Sequence, residues 1–173
     1  LNVNSIFSDK FTSASSTVIG QQTIGSSNTA TINITGSPEV KNIRTVFRFA
    51  GFSGNESGVF VKNGSVLSLS DVVIEGGTGT NSSGQTDELR YGLYASDSGT
   101  IALGENVGVV GFKYGVAADN GGVVNALNTF ISGCTNAGVL STNNSTVKVR
   151  GAVVNGCGSG FLSDTNGLIT DRE

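Results

Sequence analysis

Apolar and polar residues alternate in short runs along most of the chain, and the runs recur about every 23 residues. Alternation of this kind is typical of a β-strand that buries one face and exposes the other. Each repeat is opened by a glycine, and these glycines, separated by 34, 23, 23 and 22 residues, are Gly58, Gly92, Gly115, Gly138 and Gly160. A period of this length with abundant Gly, Asn and Ser predicts a solenoid whose units stack to share one core.

Each repeat contains three apolar runs separated by turns, which in the first clear unit are the runs 59–61, 66–69 and 72–74. The turn after the first run carries an Asn or Asp in the later units, and these residue types tolerate left-handed backbone. Three strands per coil and about 23 residues per coil predict an all-β chain folded as a right-handed parallel β-helix. A leucine-rich repeat has a similar period, but these units do not follow its Leu-x-x-Leu-x-Leu pattern.

The regular coils are predicted to span residues 58–173, whereas residues 1–57 predict irregular N-terminal coils or a cap. One interruption falls within the regular part, because 16 residues separate Gly76 from Gly92 where the other coils use four or five. The extra residues predict an insertion at 78–91 that projects from one edge of the solenoid.

The insertion carries candidate ligand-binding residues, which are Asp87, Glu88, Arg90 and Tyr91. Insertions in solenoids often lie on the binding face. Carboxylates, a guanidinium group and an aromatic ring can together hydrogen-bond to a sugar and stack on it. We therefore predict that these four residues bind a ligand, and the alternative is that the insertion is a solvated excursion.

A row of apolar residues in the first strands is predicted to face outward. If Val59, Val61 and their equivalents face the core, the residues between them face the solvent, and these are Phe60, Tyr94, Ala117, Leu140 and Leu162. An apolar stripe of this extent is unfavourable in water. We predict that it is a self-association face, most simply in a homotrimer. The alternative is that the row faces inward.

Two carboxylates are candidates for catalysis. Asp71 and Glu105 each lie 13 residues after their opening glycine, and Asn128 is next in the row. Neighbouring strands lie about 4.8 Å apart, and retaining glycosidases hold their two carboxyl groups roughly 5 to 5.5 Å apart. Acid and nucleophile roles are therefore open to this pair, but turn corners often carry solvated carboxylates and no aromatic platform accompanies the pair. We expect no catalytic residues here.

The composition excludes several classes of function. Charged residues make up 13% of the chain and the net charge is −3, which offers no electrostatic footprint for nucleic acid. No apolar run approaches the roughly 20 residues needed to cross a bilayer, so we expect no membrane insertion. The chain has no His, which removes the usual nucleophilic triads and the commonest metal ligand. We expect no metal site and no cofactor.

The two cysteines fall at equivalent corners of successive coils. Stacking of Cys134 on Cys157 would bring their Cα atoms within disulfide range. Side chains in a ladder point in parallel, however, which favours a reduced, inward-stacked thiol pair over a disulfide.

Two stretches of the chain resemble the repeats of bacteriophage tailspike and tail-fibre β-helices. They are residues 91–101, which read YGLYASDSGTI, and residues 114–123, which read YGVAADNGGV. The resemblance extends from Gly58 onward, over about two thirds of the chain. It implies a homotrimer on the virion tail, outside the cell, that contacts host cell-surface polysaccharide or lipopolysaccharide and in some members cleaves it.

The chain departs from the depolymerising members of that family because it is short and lacks aromatic groove residues. We therefore expect a structural and receptor-binding segment of a phage tail fibre or tailspike. Two alternatives remain open at this point, a polysaccharide depolymerase that uses Asp71 and Glu105 and a fragment of a secreted bacterial adhesin, which would be monomeric.

Overall fold

The computed structural model of the chain is a parallel β-helix, and the part that it describes contains no helix. It describes residues 16–19, 22–24, 29–32, 45–50, 57–80, 86–88 and 90–172, with side chains at 57–76 and 90–172. The strands in this part form three sheets, each containing a stack of six parallel strands. The prediction of an all-β parallel β-helix with three strands per coil is confirmed.

Each sheet collects one strand from every coil. Sheet one contains β2 (Gln22–Ile24), β5 (Ser57–Val61), β9 (Tyr91–Ala95), β12 (Tyr114–Ala118), β15 (Ala137–Ser141) and β18 (Ser159–Ser163). Sheet two contains β3 (Thr29–Ile32), β6 (Val66–Leu69), β10 (Thr100–Leu103), β13 (Val123–Asn125), β16 (Thr146–Lys148) and β19 (Leu168–Thr170). Sheet three contains β1 (Ser16–Ile19), β4 (Thr45–Ala50), β7 (Val72–Thr80), β11 (Gly108–Val110), β14 (Phe130–Ser132) and β17 (Val153–Asn155).

The core is a set of columns in which like side chains lie one above another. In sheet two, the register pairs Leu67 with Ile101, Ile101 with Val124, and Val124 with Val147. All four of these side chains are fully buried. Burial of an aliphatic side chain of this size is worth about 1.5–3 kcal/mol, so the stacked columns supply the main driving force for folding.

From β5 onward, the turn after each sheet-one strand uses left-handed backbone, as the Asn and Asp pattern predicted. Positive φ angles occur at Asn63, Asp97, Asn120, Asn143 and Asn166. Short polar side chains adopt this conformation at lower cost than others because they can hydrogen-bond locally. In two of these turns the side chain also reaches the preceding coil, since Asn120 donates to Asp97 and Asn143 donates to Asp119.

The recurrent glycines leave space at a corner that side chains of the same coil and a backbone carbonyl of the next coil occupy. A Cβ added to Gly115 would lie 2.6 Å from Ile131 Cγ2, 2.8 Å from the carbonyl oxygen of Gly138 and 3.0 Å from Cys134 Sγ. At Gly92, the added atom would lie 2.8 Å from the Phe112 ring. The glycine period therefore reflects close packing between coils.

The two cysteines lie at the corner that the sequence predicted. Cys134 is buried in the core and Cys157 packs against it from the next coil. The backbone N–H of Cys134 donates to Cys157 Sγ at 3.4 Å, and each thiol donates to a carbonyl two residues earlier. Both residues are thiols and are not joined in a disulfide.

The described part of the insertion is a β-hairpin. β7 continues to Thr80 and pairs antiparallel with β8 (Thr86–Glu88), with Thr78 opposite Glu88 and Thr80 opposite Thr86. Sheet three therefore continues into an antiparallel arm formed by β7 and β8 before β9 begins. The side chains of Asp87 and Glu88 lie outside the described residues.

Replacing Gly115 by Ala should lower the free energy of unfolding by about 1–3 kcal/mol. The added methyl group would meet Ile131 and the backbone carbonyl of Gly138, which cannot rotate away. Gly160 is the matched control, because it opens a coil in the same way and an added Cβ has no atom within 4 Å. Gly160→Ala should be neutral or stabilising by a few tenths of a kcal/mol, and an equal loss in urea denaturation of both variants would contradict the packing argument.

Candidate functional site

The outward row of sheet one is a continuous column in the structure. Its residues are register partners on consecutive strands, in the order Phe60, Tyr94, Ala117, Leu140 and Leu162. Their neighbours Val59, Val61 and Val116 belong to the central core. Ala117 and Leu140 instead form a separate apolar cluster with Tyr91, against which Tyr94 and Tyr114 pack. The row therefore lies on the outer face of the sheet.

Much of this outer row is covered by the chain itself. Ala117 is 0% exposed and Leu140 is 9% exposed, and Phe60 and Tyr94 are partly buried. Leu162 is 43% exposed on β18, the last strand of its stack, where the inward-facing Phe161 is 52% exposed as well. Ala117 and Leu140 thus pack within the chain and present little surface to a partner. Any contact between chains along this row would rest mainly on Phe60, Tyr94 and Leu162.

Four aromatic rings stack on one another across this face. The ring centroids of Phe60 and Tyr94 are 4.9 Å apart, those of Tyr94 and Tyr91 are 4.4 Å apart, and those of Tyr91 and Tyr114 are 5.5 Å apart. The angles between neighbouring ring planes are 17°, 16° and 27°. Stacked pairs of this kind contribute about 0.5–1.5 kcal/mol beyond the area they bury. We call these four residues the aromatic face.

The aromatic face contains all three tyrosines of the chain. Sequence reasoning assigned Tyr91 to ligand binding and assigned Phe60 and Tyr94 to an oligomer interface, and the structure brings the two sets together. It did not single out Tyr114, although Tyr114 follows Tyr91 by 23 residues, which is one coil. This spacing of one coil is the feature of the sequence that could have identified Tyr114 as a neighbour of Tyr91.

Charged and polar groups border the aromatic face. Lys62 Nζ lies 5.4 Å from the centre of the Phe60 ring, and Arg90 Cζ lies 5.0 Å from the centre of the Tyr91 ring. Both distances fit cation–π interactions. The Tyr94 hydroxyl donates to Asp119 Oδ2 at 2.9 Å. The face therefore combines apolar rings with donors and acceptors at its margins.

Tyr94 has a clearly altered acidity. Burial raises the pKa of Tyr94 well above its ordinary value of 10.0, and the hydrogen bond to Asp119 and the charge of that carboxylate add to the effect. The hydroxyl is therefore a hydrogen-bond donor throughout the physiological pH range.

The hairpin arm leads directly into the aromatic face. β8 ends at Glu88, Arg90 is exposed, and Tyr91 begins β9 and is almost fully buried. Of the four predicted ligand-binding residues, Tyr91 is therefore part of this face and Arg90 lies at its margin.

The candidate carboxylates lie at another corner, between sheets two and three. The backbone N–H of Asp71 donates to the carbonyl of Glu105 at 2.9 Å, and both side chains are exposed. The side chain that reaches the Asp71 carboxylate is that of Asn106, whose Nδ2 donates to Oδ1 at 2.8 Å. Asp71, Asn106 and Asn128 share a left-handed φ of 51°, 58° and 51°, which indicates that the Asp71 carboxylate supports the turn.

Counting from the opening glycine aligned Asp71 with Glu105, whereas the structure aligns it with Asn106. The registers Leu69 to Leu103 and Val73 to Gly108 leave one more residue in the second corner than in the first. That single extra residue places Asn106, rather than Glu105, at the level of Asp71.

Comparisons with known proteins add no family assignment, because no family model, no curated protein and no solved structure matches the chain. Across the described ranges, no group of three or more His, Cys, Asp or Glu side chains is placed to hold a metal ion. The same ranges contain no helix with the length and apolarity that a membrane crossing requires.

Replacing Tyr94 by Phe keeps the stacked ring but removes the donor to Asp119. The free energy of unfolding should fall by about 1 kcal/mol at neutral pH. The unfolded chain releases the Tyr94 proton near pH 10 while the folded chain retains it, so the contribution is fully present below pH 10 and is lost as the pH rises toward the folded pKa. Between a pH below 10 and a pH above 10, the denaturation midpoint should fall more in the wild type than in Tyr94→Phe. An equal fall in both proteins would refute this.

Proposed function

We propose that the chain is a rigid β-helical segment of a phage tail fibre or tailspike, located on the virion tail outside the cell, that binds host cell-surface polysaccharide or lipopolysaccharide. The observation that carries this proposal is the aromatic face, which gathers Phe60 and all three tyrosines on one outer surface. The resemblance of residues 91–101 and 114–123 to tailspike repeats supports the same assignment.

The chemistry of the face suits a saccharide. Sugar rings carry apolar C–H faces and a rim of hydroxyl groups, so they pair with aromatic rings that are bordered by polar side chains. Tyr114 is partly exposed, and its hydroxyl accepts a hydrogen bond from Nδ2 of the exposed Asn136 at 3.0 Å. Asp119 offers carboxylate oxygens at the opposite margin.

The solenoid also suits the mechanical role. Its coils are joined by parallel backbone ladders and by a buried core that runs across them. A surface built on such strands is held in place before the ligand arrives, which reduces the entropy lost on binding. A segment of this kind serves both as a shaft and as a binding surface.

We do not propose that the chain cleaves the polysaccharide. Asp71 and Glu105 are exposed at a turn, and the Asp71 carboxylate accepts a hydrogen bond from Asn106. These features account for Asp71 as a structural residue of the corner.

Truncation of Tyr114 should weaken carbohydrate binding. Tyr114→Ala removes a partly exposed ring from the aromatic face, and we expect affinity for bacterial lipopolysaccharide or capsular polysaccharide to fall roughly 10-fold, equivalent to about 1.4 kcal/mol. Phe130→Ala is the matched control, because Phe130 is a 40% exposed ring on sheet three. Biolayer interferometry on a panel of purified surface polysaccharides measures both, and a wild type that binds none of them would count against the proposal.

We further propose that the segment is a homotrimer that associates through the exposed part of the sheet-one row. Leu162→Asp should convert a trimer to a monomer in light scattering, because a carboxylate at the interface would be desolvated without a partner. Leu162 is a cleaner probe than Leu140, which is buried within the chain. Phe130→Asp is the control on sheet three and should leave the trimer intact. A monomeric wild type would favour the adhesin alternative.

A further inference from the structure

Cys134 and Cys157, which we call the thiol pair, lie at the corner that follows sheet three in two adjacent coils. The backbone N–H of Gly133 donates to the Asn155 carbonyl at 3.2 Å. The backbone N–H of Gly158 donates to the Cys134 carbonyl at 3.0 Å. These ladder bonds place the two cysteines opposite each other. Because neighbouring strands lie about 4.8 Å apart and disulfides join Cα atoms about 4.4–6.8 Å apart, the backbone spacing fits a disulfide.

The side chains of the thiol pair are held apart by weak contacts. Each thiol donates at 3.6 Å to the carbonyl of its own strand, at Ser132 and Asn155, respectively. A thiol is a weak hydrogen-bond donor, so either contact is lost at low cost. Cys157 Sγ already lies 3.4 Å from the backbone N of Cys134. A disulfide therefore requires side-chain rotation at this corner.

Glycines border both sulfur atoms. A Cβ added to Gly115 would lie 3.0 Å from Cys134 Sγ, and a Cβ added to Gly138 would lie 3.4 Å from Cys157 Sγ. Because these two positions carry no side chain, they leave space beside each thiol for a change of rotamer.

The two thiols differ in their access to solvent. Cys134 is 1% exposed, whereas Cys157 is partly exposed. Access and thiolate character decide which cysteine reacts, so a dissolved oxidant reaches Cys157 and is shielded from Cys134. The chain contains no third cysteine that could compete for the oxidised residue.

From this geometry we propose that the thiol pair is an oxidisable cross-link, in which Cys157 reacts with a small-molecule disulfide and Cys134 then displaces the small thiol. First, the Cys157 thiolate attacks one sulfur of the oxidant, whose S–S bond breaks, and a small thiolate leaves and takes up the proton lost by Cys157. The Cys134 thiolate then attacks Cys157 Sγ, and the second small thiolate leaves and takes up the proton lost by Cys134. Two protein thiols are oxidised, and one small-molecule disulfide is reduced to two thiols.

The cross-link would connect an exposed strand to the buried core. Cys134 belongs to the core, and β18, which follows Cys157, is exposed along its whole length. The two cysteines are 23 residues apart, so the disulfide closes a loop of one coil. Closing a loop of this length restricts the unfolded chain and stabilises the folded one. Disulfides persist in oxidising surroundings outside the cell, which suits the proposed location on a virion tail, although the inference does not depend on carbohydrate binding.

The test exposes the reduced, folded chain to oxidised glutathione without denaturant. Intact mass spectrometry should show the loss of two hydrogens, and digestion should yield a peptide in which Cys134 is joined to Cys157. The melting temperature of the oxidised protein should exceed that of the reduced protein by roughly 5–10 °C.

Single-cysteine variants separate the two roles. Cys134→Ser retains the accessible thiol and should stop at a stable glutathione adduct on Cys157. Cys157→Ser retains the buried thiol and should stay unmodified over the same time. If Cys134→Ser does not fold, Cys134→Ala serves in its place, because it also lacks the second thiol. Urea denaturation of each reduced variant checks that the fold is intact.

Three outcomes would overturn the inference. The first is a wild type that does not react or that keeps glutathione on Cys157. The second is a cross-link that forms in urea and not in the folded chain. The third is modification of Cys134 in Cys157→Ser as fast as that of Cys157 in Cys134→Ser. None of these outcomes bears on polysaccharide binding, which the Tyr114→Ala experiment tests separately.

Discussion

The structure depends on one constraint, which is that equivalent residues of successive coils stack in register through parallel backbone hydrogen bonds. Every column follows from it, including the buried Leu67, Ile101, Val124 and Val147 and the outward row that begins at Phe60. Because strand side chains alternate with a period of two, a shift of one residue in a strand would exchange its inner and outer faces. The corners must therefore absorb any change in length, as the extra residue beside Glu105 illustrates.

Close packing between coils explains why the corners are so rich in glycine. Phe112 is fully buried, and its ring occupies space that Gly76 and Gly92 leave open, since an added Cβ would lie 2.9 Å and 2.8 Å from it. Cys134 takes the equivalent place one coil further on and borders Gly115. A large side chain at the corner is thus matched by glycines of its own coil and, for Phe112, of the preceding coil. This packing restricts which side chains the interior can hold, whereas the outer faces can carry side chains of varied chemistry.

The outer face of sheet one combines two roles that sequence reasoning had separated. Its middle forms a small apolar cluster that the chain covers itself, as the full burial of Ala117 indicates. Its margins carry Arg90, Lys113 and Asp119, which are at least partly exposed. Among the rings, Tyr91 lies beside the Arg90 guanidinium, Phe60 lies beside the Lys62 ammonium and Tyr94 donates a hydrogen bond to Asp119. The proposal on saccharide binding rests on this combination of stacked rings with polar and charged groups around them.

The sequence by itself determined the coil period, the three strands per coil, the assignment of inner and outer strand positions and the left-handed Asn and Asp turns. These features are local, because side-chain alternation and backbone preferences act within a few residues. Only the tertiary structure decided that Asn106 stands at the level of Asp71, that Tyr114 joins Tyr91 and Tyr94, and that the insertion continues β7 as a hairpin. Those features depend on register and ring orientation between residues about one coil apart, and a single added residue in a turn changes both.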